Sequence, residues 1–228
     1  MPDYVALMKA RHSVRDYAPT PLSKEQRKAI EAFLDELNGK YGLHFRLIVD
    51  EDVFSRWMLG YGFIKGCRNY IRLAGKSAPD LEEKVGYYGE MVALFLQSLG
   101  LNTCWVGGTY RKKDVYEEPA GSVLVALLAL GVGNTQGKPS SSRPIGAYYE
   151  DKDVPSWFLD GMEAALLSPS ALNQKKWRFL YQEDGSVKAT GNGKHFGAVD
   201  LGIAKLHFEL GAKRTVFAFD NPWLSLDK

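Results

Sequence analysis

At 228 residues the chain is long enough for one large core or two modest half-domains. Its 45% hydrophobic and 25% charged content is that of an ordinary globular protein. A net charge of +2 gives no strong field, so neither nucleic acid nor a membrane surface is expected as a partner. The two cysteines, Cys67 and Cys104, are far apart and fit neither a disulfide framework nor a zinc spacing; they predict reduced thiols in a cytoplasmic protein. No apolar signal region follows Met1, and the longest apolar run, Val123 to Val132, is too short to cross a bilayer. His12, His44, His195 and His207 are scattered, so no metal site is expected.

Tyr4, Leu7 and Met8 predict a short amphipathic helix ending near Arg11. Pro19 and Pro21 break the chain, and Ser23 with Gln26 forms a capping box for a second helix. Ile30, Phe33, Leu34 and Leu37 give that helix one apolar face, and Asn38-Gly39 should close it. Strands are expected at His44–Val49, which leads into the acidic turn Asp50-Glu51-Asp52, and at Asn69–Leu73. Gly86–Gly100 is apolar nearly all round and should be a central buried helix. Thr103–Val106 predicts a strand entering Gly107-Gly108, and Val123–Val132 a buried strand.

The Gly/Ser/Pro-rich stretch from Gly131 to Pro144 marks the internal boundary. It gives a first half at residues 1–134, a linker at 135–150 and a shorter second half at 151–228. The second half predicts a helix at Pro155–Leu167, a strand at Lys176–Gln182 turned by Glu183-Asp184-Gly185, a helix at Gly197–Gly211 and a final strand at Thr215–Phe219. Gly86–Gly100 and Gly197–Gly211 have equal length, share terminal Gly and Leu-Gly, and share Ala at the eighth position. The common order of helix, strand, acidic turn, Gly-to-Gly helix and strand points to an internal duplication.

Three constellations could carry chemistry. In Arg11-His12-Ser13-Val14-Arg15, two guanidiniums, a hydroxyl and backbone amides can converge on one phosphate, because each planar fork donates to two oxygens; a solvated basic turn would look the same. Ser168-Pro169-Ser170-Ala171-Leu172-Asn173-Gln174 offers hydroxyls and amides that donate and accept together, as a polar ring edge requires; an ordinary helix–strand connection is the bland alternative. Gly107 and Gly108 let a ring approach the backbone, or simply form a turn. Trp177 and Cys104 read as core residues, and Lys138 and Arg143 as loop cations that could add charge near a phosphate. No Gly-x-Gly-x-x-Gly, P-loop, nucleophile–base pair or positioned acid/base pair is present, so the chemistry would belong to a cofactor.

These segments together resemble the nitroreductase family. Arg11–Arg15 resembles its Arg-x-Ser-x-Arg phosphate motif, Ser168–Phe179 its Ala-Pro-Ser-x-x-Asn-x-Gln-Pro-Trp-x-Phe segment, and Leu99–Gly107 its Leu-Gly-Leu-Gly-Thr-Cys-Trp-Val-Gly stretch. The resemblance implies an α+β fold with an antiparallel-type central sheet flanked by helices. It implies FMN as cofactor, NADH or NADPH as electron donor, and a nitroaromatic, quinone or similar small-molecule acceptor. The Ser-Asn segment stands in the second half rather than close behind the Arg-Ser-Arg motif, and Lys175-Lys176 replaces the usual Gln-Pro. The implied architecture is therefore a fused, monomeric pseudo-dimer. The implied cofactor-binding set is Arg11, His12, Ser13, Arg15, Gly107, Gly108, Ser168, Pro169, Ser170, Asn173 and Gln174, with Arg143 as an added phosphate ligand. A flavin carrier or regulator with little reductase activity is the alternative on the same scaffold.

Overall fold

The computed structural model describes residues 3–54, 64–111, 121–149, 153–192 and 196–224. The chain divides into two compact units that do not follow chain order. A sheet unit comprises Arg11–Leu81 and Met91–Lys138, and a hairpin unit comprises Met1–Ala10, Glu82–Glu90 and Pro139–Lys228.

In the sheet unit, helix α2 (Lys24–Tyr41) starts at the expected capping box: Ser23 Oγ accepts the Gln26 N–H, and Gln26 Oε1 accepts the Ser23 N–H. It does not stop at Asn38-Gly39. Gly42, at φ +66°, caps it by donating its N–H to Asn38 O, while the Asn38 side chain turns to the Phe45 backbone. Strands β1 (Arg46–Ile48), β2 (Asn69–Lys76), β3 (Asn102–Val106) and β4 (Ser122–Gly131) form one antiparallel sheet in the order β1-β2-β4-β3. Ile71 faces Leu128, Cys104 faces Ala129, and a bulge falls between Leu73 and Ala74. Val14, Tyr17, Ile48, Phe54, Tyr70 and Leu127 belong to the core of this unit. The acidic turn is structural: Arg68 Nε donates to Asp50 Oδ1 (2.6 Å), and Tyr70 Oη donates to Glu51 Oε2 (3.0 Å).

The hairpin unit contains α1 (Tyr4–Ala10), the start of α3 (Leu81–Ser98), α4 (Ser156–Leu166), strands β5 (Trp177–Tyr181) and β6 (Val187–Gly191), and α5 (Gly197–Ala212). Helix α3 begins five residues ahead of the expected Gly86, with Glu82 and Glu83 in its first turn where carboxylates favour the helix dipole. Strand β6 was not legible, because Val187-Lys-Ala-Thr-Gly191 has no apolar run; the turn at Glu183–Gly185 nonetheless returns it antiparallel to β5. The expected strand at Thr215–Phe219 does not form. The Val216 and Phe217 N–H groups donate to Glu209 Oε1 (2.7 and 2.9 Å), so a buried carboxylate takes the donors a ladder would need. Phe158, Phe179 and Phe208 centre an aromatic core, with Phe179 and Phe208 stacked at 4.9 Å.

Helices α3 and α5 meet at two glycines. A side chain at Gly86 would strike the Val199 carbonyl oxygen, and one at Gly202 would strike that of Glu83. The contacts are 86 with 199 and 83 with 202, and a shift of 116 residues carries 83 onto 199 and 86 onto 202, so the two contacts are the same contact seen from each helix. The crossing thus pairs Gly86 with Gly202, not with Gly197 as the sequence alignment of the two helices has it. Among the described residues no helix is long and apolar enough to cross a membrane.

Candidate functional site

The Arg11–Arg15 segment is extended and lies along β3 in the sheet unit. Ser13 bridges Thr103 in parallel, and the Val14 N–H donates to Thr103 O (3.0 Å). Extended backbone sends alternate side chains to one side, so Arg11, Ser13 and Arg15 share a face and Val14 enters the core. That face meets Cys104: Arg15, Arg11 and a hydrogen bond from Ser13 all favour its thiolate, yet burial outweighs them and its pKa is raised. Cys104 is therefore a buried thiol that feels all three donors, in keeping with a core role. The side chain of Arg11 is itself buried.

The Gly-rich stretch ahead of Lys138 is no slack connection. Asn134 donates to Asp16 through both backbone and side chain, and Asn102 Oδ1 accepts the Gly133 N–H (3.0 Å). The His12 Nδ1–H donates to Gln136 O (3.0 Å). Gly137, at φ +73°, lies where a side chain would press on His12 Cβ at 2.9 Å. These ties pin the outer edge of the Arg11–Arg15 segment. Gly107 and Gly108 follow β3, half-buried and exposed; a side chain at Gly108 would meet nothing within 4 Å, so packing does not require glycine there.

In the hairpin unit, residues 168–175 form a tight and strained connection from α4 to β5. Ser168 is fully buried, and its Oγ has no hydrogen-bond partner among the described residues. Pro169 is buried behind it. Ala171–Asn173 makes a single 3-10 turn in which Leu172 and Asn173 both have φ +53°, and Lys175 follows at φ +44°. Left-handed backbone at three non-glycine positions persists only where the surroundings over-determine it. The supports are visible. Ser170 Oγ accepts the Lys175 N–H (2.9 Å), and both carboxylate oxygens of Asp200 accept the Ala171 N–H (2.9 and 3.0 Å). Burial raises the Asp200 pKa to about 7, against opposing pulls from the Ala171 N–H and from Lys175.

Lys175, where the family pattern has Gln, buries its ammonium. It donates to Asn173 Oδ1 (2.7 Å), Ser141 O (3.3 Å) and Ser140 Oγ. Ser140 Oγ also donates to Asn173 Oδ1 (2.9 Å), and Asn173 Nδ2 donates to Ser141 O (2.9 Å). The Ser140–Ser142 run is thus stapled to the Ser-Asn segment. A cavity of about 440 Å³ lies here, lined by Asn173, Gln174, Arg143, Tyr148, Lys176 and the serines Ser141 and Ser142. Arg143 therefore stands with the Ser-Asn segment. Trp177 is a core residue, 2% exposed and packed on Tyr148 at 4.9 Å.

Sequence reasoning missed Asp200 and the fastening role of Lys175. Lys175 was visible as a departure from the pattern, whereas Asp200 sits in an apolar helix with nothing local to mark its partner.

The family model described as "Putative TM nitroreductase" matches residues 3–212. Among solved structures, a "putative nitroreductase" from Thermotoga maritima MSB8 aligns with a TM-score of 0.66 at 23% identity, over 92% of this chain and 83% of that one. One from Desulfovibrio desulfuricans, in complex with FMN, aligns with a TM-score of 0.52 at 17% identity, over 68% of this chain and 99% of that one. A "putative NADH dehydrogenase/NAD(P)H nitroreductase" from Parabacteroides distasonis ATCC 8503 gives 0.51 at 16% identity, over 67% of this chain and 99% of that one. No protein of curated function matches the chain. With the family model spanning the sheet, the extended Arg-Ser-Arg segment and the Ser-Asn turn, the chain belongs to the TM-type nitroreductase family.

Proposed function

We propose that this protein is an FMN-dependent oxidoreductase that takes hydride from NADH or NADPH and passes it to a nitroaromatic, quinone or similar acceptor. The observation that carries the reading is the convergence of Arg11, Ser13 and Arg15 on one face of an extended segment. Two guanidiniums and a hydroxyl form a donor set suited to a phosphate monoester. The buried Ser168 hydroxyl, without a partner among the described residues, adds an unspent polar group beside the Ser-Asn turn.

Arg11, Ser13 and Arg15 would take the FMN phosphate, with His12 fixed at their edge by Gln136. Ser168, Pro169, Ser170, Asn173 and Gln174 would serve the ring's polar edge. Asn173 would have to exchange its contacts with Ser141 to do so. Gly107 and Gly108 would offer backbone N–H groups to the ring. FMN, when bound, supplies the two-electron relay between donor and acceptor, and the residues named position it. The reciprocal Gly86 and Gly202 crossing supports a fused pseudo-dimer that works as a monomer.

Titrating the purified protein with FMN tests the assignment. Saturable binding with one equivalent per chain is expected, and a protein that leaves FMN free at tens of micromolar overturns it.

A further inference from the structure

A second cavity, of about 370 Å³, lies on the β5–β6 hairpin and shares Arg143, Tyr148 and Lys176 with the first. Three cations line it, Arg143, Lys176 and Arg178, beside Lys175, whose ammonium is already bonded to Asn173, Ser140 and Ser141; among the described residues no carboxylate lines it. The arrangement follows from strand geometry: Trp177 and Phe179 are buried, so Lys176 and Arg178 stand together on the opposite, exposed side. Trp177 also lines the cavity, is 2% exposed, and its indole Nε1–H has no hydrogen-bond partner among the described residues. Guanidinium, ammonium and indole groups donate and cannot accept. A cavity furnished this way fits a ligand with many acceptor oxygens and negative charge.

We infer that the hairpin cavity binds the phosphoryl groups of a nucleotide, and that this nucleotide is the reducing dinucleotide. The phosphate site stands on its own lining. Its assignment to the electron donor rests on the oxidoreductase reading above. The cavity adjoins the one lined by Asn173 and Gln174, with Arg143, Tyr148 and Lys176 common to both, so a ligand anchored here by phosphate has the Ser-Asn segment as its neighbour. Two phosphoryl sources share this chemistry: the pyrophosphate of either dinucleotide and the 2′-phosphate of NADPH alone.

The binding test needs no flavin. Pyrophosphate is titrated into the purified protein, and the Trp177 indole N–H resonance is followed by NMR. Saturable binding that moves this resonance, and that weakens at least tenfold in the Lys176→Glu/Arg178→Glu variant, is expected. Both side chains are exposed, so the fold should survive their exchange, which the dispersion of the same spectrum checks. No binding, or binding that the variant leaves unchanged, overturns the site.

With FMN added, a rise in KM for NADPH of at least tenfold and for NADH of less than twofold assigns the site to the 2′-phosphate. An equal rise for both assigns it to the pyrophosphate. Unchanged KM for both overturns the assignment to the donor. A protein that binds pyrophosphate but not FMN would refute the flavin reading while leaving the phosphate site in place.

Discussion

The Arg11–Arg15 segment and the turn at Ser168–Lys175 present their polar groups in opposite ways. The segment is relaxed: its residues continue a sheet, and their alternation alone places three donors on one side. The turn is strained: three non-glycine residues sit in left-handed backbone and are held by a buried ammonium and a buried carboxylate. A site part drawn from regular structure is cheap to build and legible from local sequence. One built from strain depends on distant supports, and disturbing those supports should disturb it first.

Asp200 offers the largest effect. Its folded-state pKa, about 7, lies above the ordinary carboxyl value of 3.8. The native state therefore favours the protonated form, and the associated stability is fully present below about pH 4 and lost as pH rises through 7. By linkage the loss is at most about 4 kcal/mol. Urea unfolding between pH 4 and 8 should show this decline in the native protein and a clearly shallower one in Asp200→Asn, where Glu209, its carboxyl also raised by burial, still titrates. Equal profiles would break the claim that the carboxylate supports the turn at an electrostatic cost.

Arg11→Ala tests the other side. It should weaken FMN binding by about 1.5–3 kcal/mol, the value of a charge-assisted bond, measured by flavin fluorescence. Unchanged affinity would remove the phosphate role. Lys175→Met should cost about 1–3 kcal/mol in urea, because Asn173 Oδ1 and the Ser140–Ser141 loop lose their shared donor. If it costs nothing, the staple is not what holds the strained backbone. Gly108→Ala, where an added methyl meets open space, should change stability by less than about 0.5 kcal/mol. Any reduction in FMN affinity in that variant would then report on the ring's approach, separately from folding.

The contrast also explains what was legible. Capping at Ser23 and the strand at Asn69 depend on neighbours within a few residues, and both are found near their expected places; the extended course of Arg11–Arg15 along β3 was not among the expectations. The helix end at Gly42, strand β6 and the Glu209-tethered segment at Val216–Phe217 depend on partners that local pattern does not reveal. Asp200 lies 29 residues beyond the Ala171 N–H it accepts, and Ser140 lies 35 before Lys175. The motif residues of the turn could be read, but the groups that hold them in a strained geometry could not. The Gly/Ser/Pro stretch shows the same limit: its composition reads as a linker, yet it is bonded to Asp16 and Gln136-to-His12 on one side and to Asn173 and Lys175 on the other.

The central claim is that this chain moves reducing equivalents from a nicotinamide nucleotide through FMN. It is tested most directly by adding NADPH, and separately NADH, to the FMN-loaded protein under anaerobic conditions and following the flavin absorbance. The account predicts loss of the yellow absorbance with at least one of the two donors and its return on adding a quinone or nitroaromatic acceptor. Absorbance that persists with both donors, in protein shown to hold FMN, would contradict it and leave a flavin carrier.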